Sequence, residues 1–214
     1  MPISPDAVLR AEHISKSFGD HKVLEDVGIS LQKGELVCLL GISGAGKTTL
    51  FNILSGLMQP DSGHVYVNGA ETTGIPGKIS YMLQKDLLLP FRTVLDNVAL
   101  PLMLRGVPKK EAREQAASHF ARFGLAGTEK KYPDKLSGGM RQRAALLRTY
   151  LASDGIALLD EPFSALDTIT KGAIHEWYLD IMRDIELTTL FITHEGDEAG
   201  KLSDRVCILG GSPG

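Results

Sequence analysis

The strongest constraint on the fold is one glycine-rich segment, Gly41-Ile42-Ser43-Gly44-Ala45-Gly46-Lys47-Thr48, which we call the phosphate loop. It matches the pattern G-x-x-x-x-G-K-[ST], follows an apolar run ending at Leu40, and opens a helix-like stretch from Thr48 to Leu54. Glycines let the chain curl with its backbone N–H groups pointing inward, close to phosphate oxygens. Lys47 adds a mobile positive charge, and the Thr48 hydroxyl can bind Mg²⁺. The loop predicts a nucleoside triphosphate site, which a kinase, a GTPase, an ATPase or a motor would all carry.

Apolar patterns along the chain indicate an α/β fold with a helical insertion. The stretch from about Lys85 to Ala152 has helical spacing. Compact apolar runs follow at Ile156–Leu159 and Thr189–Thr193, separated by a helix from about Ile169 to Ile185. Strand-like runs of the first half are Val8–Ile14, Val23–Leu31, Glu35–Leu40, His64–Val67 and Ile79–Met82. Strands that alternate with helices predict an α/β sheet.

The same patterns divide the chain into two parts of one domain. We expect a nucleotide-binding core with a β-subdomain in residues 1–84 and 154–214, and a helical subdomain in residues 85–153. In the helix from Ile169, apolar residues recur at every fourth position: Ile169, Ala173, Trp177, Ile181 and Ile185. This stripe predicts a buried face with Trp177 as its core anchor.

Charge and apolar content exclude several classes of protein. The chain has 23 Lys and Arg against 26 Asp and Glu, so its overall charge of −3 attracts neither nucleic acid nor anionic lipid. Its longest apolar runs, such as Leu36–Leu40, are far shorter than the roughly 20 residues of a membrane-spanning helix. The first residues lack a secretory signal, and Cys38 and Cys207 lack metal-ligand spacing. We expect a cytoplasmic protein with no nucleic-acid partner and with two cysteines in packing roles.

Two acidic residues, Asp160 and Glu161, end the apolar run Ile156–Leu159. Ligand sites of α/β proteins lie at the carboxyl ends of the strands. Beside a phosphate loop, Asp160 would hold Mg²⁺ and Glu161 would polarise the attacking water as a general base. The alternative is a pair of solvated turn acids.

A second glycine-rich segment, Leu136-Ser137-Gly138-Gly139-Met140-Arg141-Gln142, starts another helix-like stretch. Ser137 is a favourable N-cap, and the free N–H groups of a helix start can bind an anion. Arg141 and Arg143 place positive charge where the helix dipole disfavours it unless an anion or an acid is nearby. A plain cap and turn remains the alternative at this point.

The residues LSGGMRQR, together with GISGAGKT and LLDEP, resemble the ATP-binding domain of ATP-binding cassette (ABC) proteins in order and spacing over nearly the whole chain. The resemblance extends to Phe18 as the aromatic that stacks on adenine, Gln84 in the loop between the subdomains, residues 164–167 (SALD) as the D-loop, and His194 as the switch histidine. It implies an α/β fold of the P-loop NTPase class: a RecA-like core, an N-terminal antiparallel β-subdomain and an inserted α-helical subdomain.

The resemblance also implies a head-to-tail dimer in which two subunits hold each ATP. One subunit would contact the nucleotide through Phe18, Gly41, Ser43, Gly44, Ala45, Gly46, Lys47, Thr48 and Thr49, and the other through Ser137, Gly138 and Gly139. Catalytic roles fall on Glu161, His194, Gln84 and Lys47, and Mg²⁺ would be held by Thr48, Gln84 and Asp160. The chain departs from the family's usual residues at Phe18, where Tyr is commoner, and at Glu195, where Asp commonly follows the histidine.

Within the family, the chain looks like a separate ATP-binding subunit of an importer, similar to the nitrate, sulfonate, taurine and pyrimidine-precursor group. Its expected partners are a membrane permease, a second ATP-binding subunit, which we expect to be identical, and, indirectly, a periplasmic or extracellular substrate-binding protein. The apolar stretch Leu83–Phe91 would meet the permease at the inner face of the membrane, although such a run could equally be core. A soluble nucleotide-driven switch and a P-loop kinase are the alternatives.

Overall fold

The computed structural model describes residues 7–163 and 168–210, and within them the chain separates into two units. The first unit takes in the chain up to Tyr81, Asp154–Glu161, and the chain from Glu186 onward. The second unit comprises Met82–Ser153 and Pro162–Ile185. Residues 164–167, expected as the D-loop, lie outside the described residues.

The first unit contains two sheets. An antiparallel sheet has the strand order β2-β1-β4-β5, from β1 (Leu9–Phe18), β2 (His21–Leu31), β4 (Ser62–Val67) and β5 (Ala70–Glu71). The second sheet has the order β6-β7-β8-β3-β9, from β3 (Leu36–Leu40), β6 (Ser80–Met82), β7 (Ile156–Asp160), β8 (Thr188–Ile192) and β9 (Arg205–Ile208). Helices α1 (Lys47–Leu54) and α7 (Gly196–Leu202) complete the unit.

Strands β3, β7 and β8 run parallel and form the centre of the second sheet. Their residues are buried almost throughout, as expected of parallel strands covered on both faces. In register, Leu39 pairs with Ile192, and Ile192 pairs with Asp160. The carboxyl ends of the three strands therefore lie level at one edge of the sheet.

The second unit is helical. It contains α2 (Val94–Val98), α3 (Leu100–Leu104), α4 (Lys109–Ser118), a 3₁₀ turn (Pro133–Lys135), α5 (Gly138–Ala152) and α6 (Thr168–Ile185). Its interior is strongly aromatic, because Phe120, Phe123 and Tyr178 are almost fully buried. The side chain of Thr93 caps α2 by accepting from the backbone N–H of Asp96 at 3.2 Å.

Helix α6 falls in the helical unit, whereas the sequence-based division kept residues 154–214 together. The contacts within the unit give the reason: the Tyr178 ring meets Phe163 edge-on at 5.1 Å between centroids, and Trp177 meets Phe123 at 6.0 Å. The expectation that Trp177 is the core anchor is wrong. Tyr178 is fully buried, and Trp177 is only partly covered.

The part of the chain beyond Thr193 contains two elements that the apolar pattern did not predict, α7 and β9. Strand β9 pairs with β3 on one side only, and its residues alternate between partly buried and exposed. A short edge strand of this kind gives a weak signal in sequence. Among the described residues, no helix is long and apolar enough to span a bilayer.

The central strands predict a large stability cost for truncation at Leu158, which is completely buried in β7. Leu158→Ala should lower the free energy of unfolding by about 2–5 kcal/mol, because the shortened side chain leaves a cavity that the neighbouring strands cannot close. Urea unfolding followed by circular dichroism measures the loss. Leu57→Ala, at a residue 64% exposed, is the matched control and should change stability by less than about 0.5 kcal/mol. Equal losses would contradict the assigned core.

Candidate functional site

An open cavity of about 660 Å³ lies at the edge of the first unit where β3, β7 and β8 end. Four separate stretches of the chain contribute to its wall. The lining residues are Val23, Ser43, Gly44, Gly46, Lys47, Thr48, Thr49, Asp160, Glu161, Ile192 and His194. The structure thus brings together most of the phosphate loop, both acids and the histidine, as the sequence predicted.

The conformation of the phosphate loop depends on its glycines. Gly46 precedes α1 with φ 91° and Gly44 has φ 83°, values that side chains with a Cβ rarely adopt. At Gly46 there is also no space, because a Cβ would lie 2.8 Å from Leu24 Cδ2 and 2.9 Å from Val23 Cγ1. At Gly44 nothing lies within 4 Å of that position. The turn therefore rests against β2 at Gly46 and is open at Gly44.

Lys47, the first residue of α1, is held along its own loop. Its Nζ donates to the carbonyl oxygens of Gly41 at 2.6 Å and Ile42 at 3.0 Å. Ala45 is buried and does not line the cavity, while Thr48 and Thr49 line it in the first turn of α1. A helix start with free N–H groups and a lysine at its mouth is an anion-binding site.

The two acids occupy the opposite part of the wall. Asp160 ends β7, and its Oδ2 accepts a long hydrogen bond of 3.4 Å from the Tyr81 hydroxyl. Burial, and then the charge of Glu161, raise the pKa of Asp160 above its ordinary value. Glu161 has φ 46°, a strained value for a residue with a side chain, and its N–H donates to the carbonyl of Ile192 at 3.1 Å. That hydrogen bond holds the strained turn.

His194 follows β8 and completes the cavity wall. Its Nδ1 lies 3.6 Å from Glu161 Oε1, beyond hydrogen-bond length, and its side chain is 58% exposed. The imidazole is therefore near the carboxylate and still accessible to a ligand.

The oxygen donors of this wall suit a hard divalent cation. Thr48 offers a hydroxyl and Asp160 a carboxylate, the ligand types that Mg²⁺ prefers. A cation bound there would offset the burial and the charge of Glu161 that raise the pKa of Asp160. Within residues 7–163 and 168–210 no group of three or more His, Cys, Asp or Glu side chains forms a metal cage. This donor set fits an ion that takes its remaining ligands from phosphate and water.

The second glycine-rich segment forms the start of α5, in the second unit. Ser137 is its N-cap, and its Oγ accepts from the N–H of Met140 at 3.3 Å. Ser137 is exposed, Gly138 partly exposed and Gly139 buried.

The two arginines of α5 find partners within the second unit. Arg141 Nε lies 3.3 Å from Asp86 Oδ2, and Arg141 Nη1 donates to the Leu136 carbonyl at 3.0 Å. The Arg143 guanidinium stacks over Trp177, 4.6 Å from the ring centroid. Arg141 is paired with a carboxylate and Arg143 is stacked on an aromatic ring. The two arginines therefore do not require a bound anion.

Two further predicted residues lie outside the cavity wall. Gln84 belongs to the second unit and is exposed. Phe18 ends β1 with half of its surface exposed, and Lys16 Nζ lies 5.8 Å from its ring centroid. Conversely, sequence reasoning missed Val23 and Ile192, which line the cavity as ordinary strand residues and carry no signal of their own.

The apolar stretch that follows Gln84 is divided between surface and interior. Leu83, Leu87 and Phe91 are 42%, 52% and 74% exposed, whereas Leu88 is buried. Arg148 fixes this loop by donating to the carbonyls of Asp86 at 2.6 Å and Leu87 at 2.9 Å. The stretch is thus a braced loop with an apolar outer surface.

Comparison with known families agrees with this geometry. The sequence profile described as "ABC transporter" matches residues 24–164. The formylaminopyrimidine import ATP-binding protein ThiZ of Halalkalibacterium halodurans is 45% identical over 96% of this chain and 81% of its own length. The nitrate import ATP-binding protein NrtD of Synechococcus elongatus is 38% identical over 96% of this chain and 77% of its own length.

Solved structures confirm the expected fold class. The bacterial ABC transporter cassette MJ0796, solved as a dimer, superposes with a TM-score of 0.79 at 28% identity and covers 94% of this chain and 93% of its own. The cassette MJ1267 gives a TM-score of 0.83 at 24% identity, a likeness of fold. The α/β P-loop architecture, with an antiparallel sheet beside a parallel one, is therefore established.

The phosphate loop yields a test that separates strain from steric overlap. Gly46→Ala should lower the free energy of unfolding by about 1–3 kcal/mol more than Gly44→Ala, because both introduce strain at positive φ but only Gly46→Ala also forces a Cβ against Val23 and Leu24. Urea unfolding of both variants measures the difference. Equal losses would mean that the loop does not rest against β2 at Gly46.

The raised pKa of Asp160 predicts a pH-dependent effect on stability. Because the folded protein binds this proton more tightly than the unfolded chain, stability is lost as the pH rises from the ordinary value of 3.8 through the raised pKa, and the cost is complete above the raised pKa. Asp160→Asn should therefore unfold at higher urea than the parent near neutral pH, with a smaller difference below pH 3.8. A variant less stable than the parent at neutral pH would contradict this electrostatic account.

Proposed function

The chain belongs to the ABC transporter family and is an ATP-binding subunit of an importer that hydrolyses ATP; on that premise we propose how its residues bind and use the nucleotide. One observation carries the proposal: four separate stretches of the chain place the phosphate loop, two carboxylates and a histidine around one open cavity. An ATPase needs a loop that binds the triphosphate and polar side chains that activate a water molecule beside it, and this cavity contains both.

The phosphate loop binds the phosphates of ATP. The loop residues that line the cavity bind the phosphates through their backbone N–H groups and the start of α1, and Lys47 moves from its loop carbonyls to the β- and γ-phosphates. Gly41 and Ala45 shape the loop. Phe18, with one side exposed, stacks on the adenine ring.

Mg²⁺ binds with the nucleotide. Thr48 and Asp160 would supply its protein oxygens, and Gln84 is the third ligand that the family resemblance implies. When bound, the ion would supply positive charge that offsets the negative charge developing as the γ-phosphate leaves.

Glu161 acts as the general base. Its carboxylate accepts a proton from water as the water oxygen bonds to the γ-phosphorus and the bond to the β–γ bridging oxygen breaks, with ADP as leaving group. His194, 3.6 Å from that carboxylate, orients the water and contacts the γ-phosphate. The strained turn at Glu161, tied to Ile192, keeps the carboxylate at the end of β7.

A second copy of the chain completes the site. In a head-to-tail dimer, Ser137, Gly138 and Gly139 of one subunit face the γ-phosphate held by the other. The start of α5 suits this role because Ser137 is exposed, and its Oγ satisfies the N–H of Met140 while the first N–H groups of the helix stay available.

The transported substrate is a small anion or organic nutrient of the nitrate, sulfonate, taurine or pyrimidine-precursor type. This inference follows the relatives, which are import subunits for formylaminopyrimidine and for nitrate, and nothing in the structure favours a soluble switch instead. The permease docks on the exposed Leu83, Leu87 and Phe91, which places the subunit at the inner face of the membrane. A substrate-binding protein acts on the other side of the permease.

The decisive variant is Glu161→Gln, which keeps the shape of the side chain and removes the base. It should bind ATP with Mg²⁺ as the parent does, lose turnover by about 10²- to 10⁴-fold, and accumulate as a dimer, since closure persists when hydrolysis stops. Phosphate release measures turnover, and light scattering after size exclusion with ATP and Mg²⁺ measures the dimer.

Two further substitutions, each added to Glu161→Gln, serve as controls. Ser137→Arg should abolish the dimer and leave ATP binding to the free subunit unchanged, because the added side chain blocks only the partner's site. Lys47→Ala should weaken ATP binding itself. A Glu161→Gln protein that stays monomeric with saturating ATP and Mg²⁺, or a dimer that survives Ser137→Arg, would refute the shared site.

A further inference from the structure

A buried hydrogen bond links the residue before His194 to the following helix. Thr193 and Glu198 are 2% and 5% exposed, and Thr193 Oγ1 donates to Glu198 Oε2 over 2.5 Å. This length is typical of a hydroxyl bound to a carboxylate. Glu198 lies in the first turn of α7, so the bond joins the end of β8 to the start of that helix.

The same hydroxyl also holds the residue after His194. The N–H of Glu195 donates to Thr193 Oγ1 at 3.1 Å, and a hydroxyl can accept this bond while it donates its own proton. On the preceding side, the Ile192 carbonyl accepts from the N–H of Glu161. The backbone at His194 is thus fixed on both sides, although the ring itself is largely exposed.

Packing of α7 does not explain a carboxylate at position 198. The neighbouring buried residues of the helix are Ala199 and Leu202, and an apolar side chain would fill the same space without the cost of burying a charge. An apolar side chain could not accept the Thr193 proton. The hydrogen bond, rather than the packing, distinguishes Glu198 from an apolar residue.

We propose that Thr193 and Glu198 are positioning residues for His194. Their bond sets the turn at residues 193–195, and the turn sets the direction of the imidazole toward Glu161 and the cavity. Misplacement of a reacting group by about 1 Å can cost about 10²-fold in rate. The proposal rests on the role of His194 given above, and the experiment separates the two.

Thr193→Val removes the hydroxyl and retains the side-chain shape. It should lower kcat by about tenfold and leave KM for ATP within about twofold, because the phosphate loop is untouched. Glu198→Leu should have the same effect, and Thr193→Ser, which keeps the hydroxyl, should restore most of the rate. Thr149→Val is the matched control: Thr149 is also buried, but its hydroxyl donates to the Ala145 carbonyl within α5.

A double-mutant cycle tests whether the effect passes through His194. In a His194→Ala background, Thr193→Val should cause no further loss of turnover. An equal loss in that background, a loss from Thr149→Val as large as that from Thr193→Val, or failure of Thr193→Ser to restore the rate would overturn the proposal.

The ring of His194 gives a readout that is independent of activity. Its ring C–H signal in the NMR spectrum of the nucleotide-free chain is the one that disappears in His194→Ala. Thr193→Val should move or split this signal, whereas Thr193→Ser and Thr149→Val should leave it in place. An unmoved signal in Thr193→Val overturns the positioning role. If His194→Ala retains full turnover while the signal moves, the positioning holds and the catalytic role of His194 is what fails.

Discussion

The candidate site depends on three parallel strands whose carboxyl ends lie at the same edge of the sheet. Strands β3, β7 and β8 are held in register by apolar residues buried on both faces, so Leu39, Ile192 and Asp160 stand side by side. Each strand then delivers a different chemical group to the same edge: the phosphate loop after β3, two acids at the end of β7, and a histidine after β8. A slip of one residue in any pairing would separate these groups.

Rigidity at this edge comes from backbone conformations that only the surroundings can hold. Gly46 has a positive φ against the side chains of Val23 and Leu24, and Glu161 has a positive φ with its N–H bound to Ile192. Such conformations cost free energy and persist where neighbouring structure fixes them. The strained conformations pre-organise the site, because the loop backbone and the carboxylate need not rearrange when a phosphate binds.

Most of the site residues could be predicted from short sequence motifs. Features that depend on contacts between distant parts of the chain could not be predicted. The phosphate loop, Asp160 and Glu161 could be proposed from spacings that reflect fixed chemistry and from the continuous apolar run of a parallel strand, whereas His194 was proposed through the family resemblance. All of them line one cavity. Trp177 does contact Phe123, but the fully buried ring is that of its neighbour Tyr178, which meets Phe163 and lies outside the stripe of every fourth residue. The partner of Arg141 could not be foreseen either, because Asp86 is distant in sequence and its side chain approaches only in the folded unit.

The charges around the cavity support the proposal that the nucleotide binds together with a cation. Asp160 is partly desolvated beside Glu161, and the opposing attraction of Lys47 is too weak to return its pKa to the ordinary value. A free triphosphate would meet two carboxylates, and a free divalent ion would meet the positive end of α1. In the proposed complex of the two, the negative phosphate oxygens would meet the loop and the positive ion would meet Asp160, so both would face an opposite charge. The charge distribution is thus an argument for the proposed binding of ATP together with Mg²⁺.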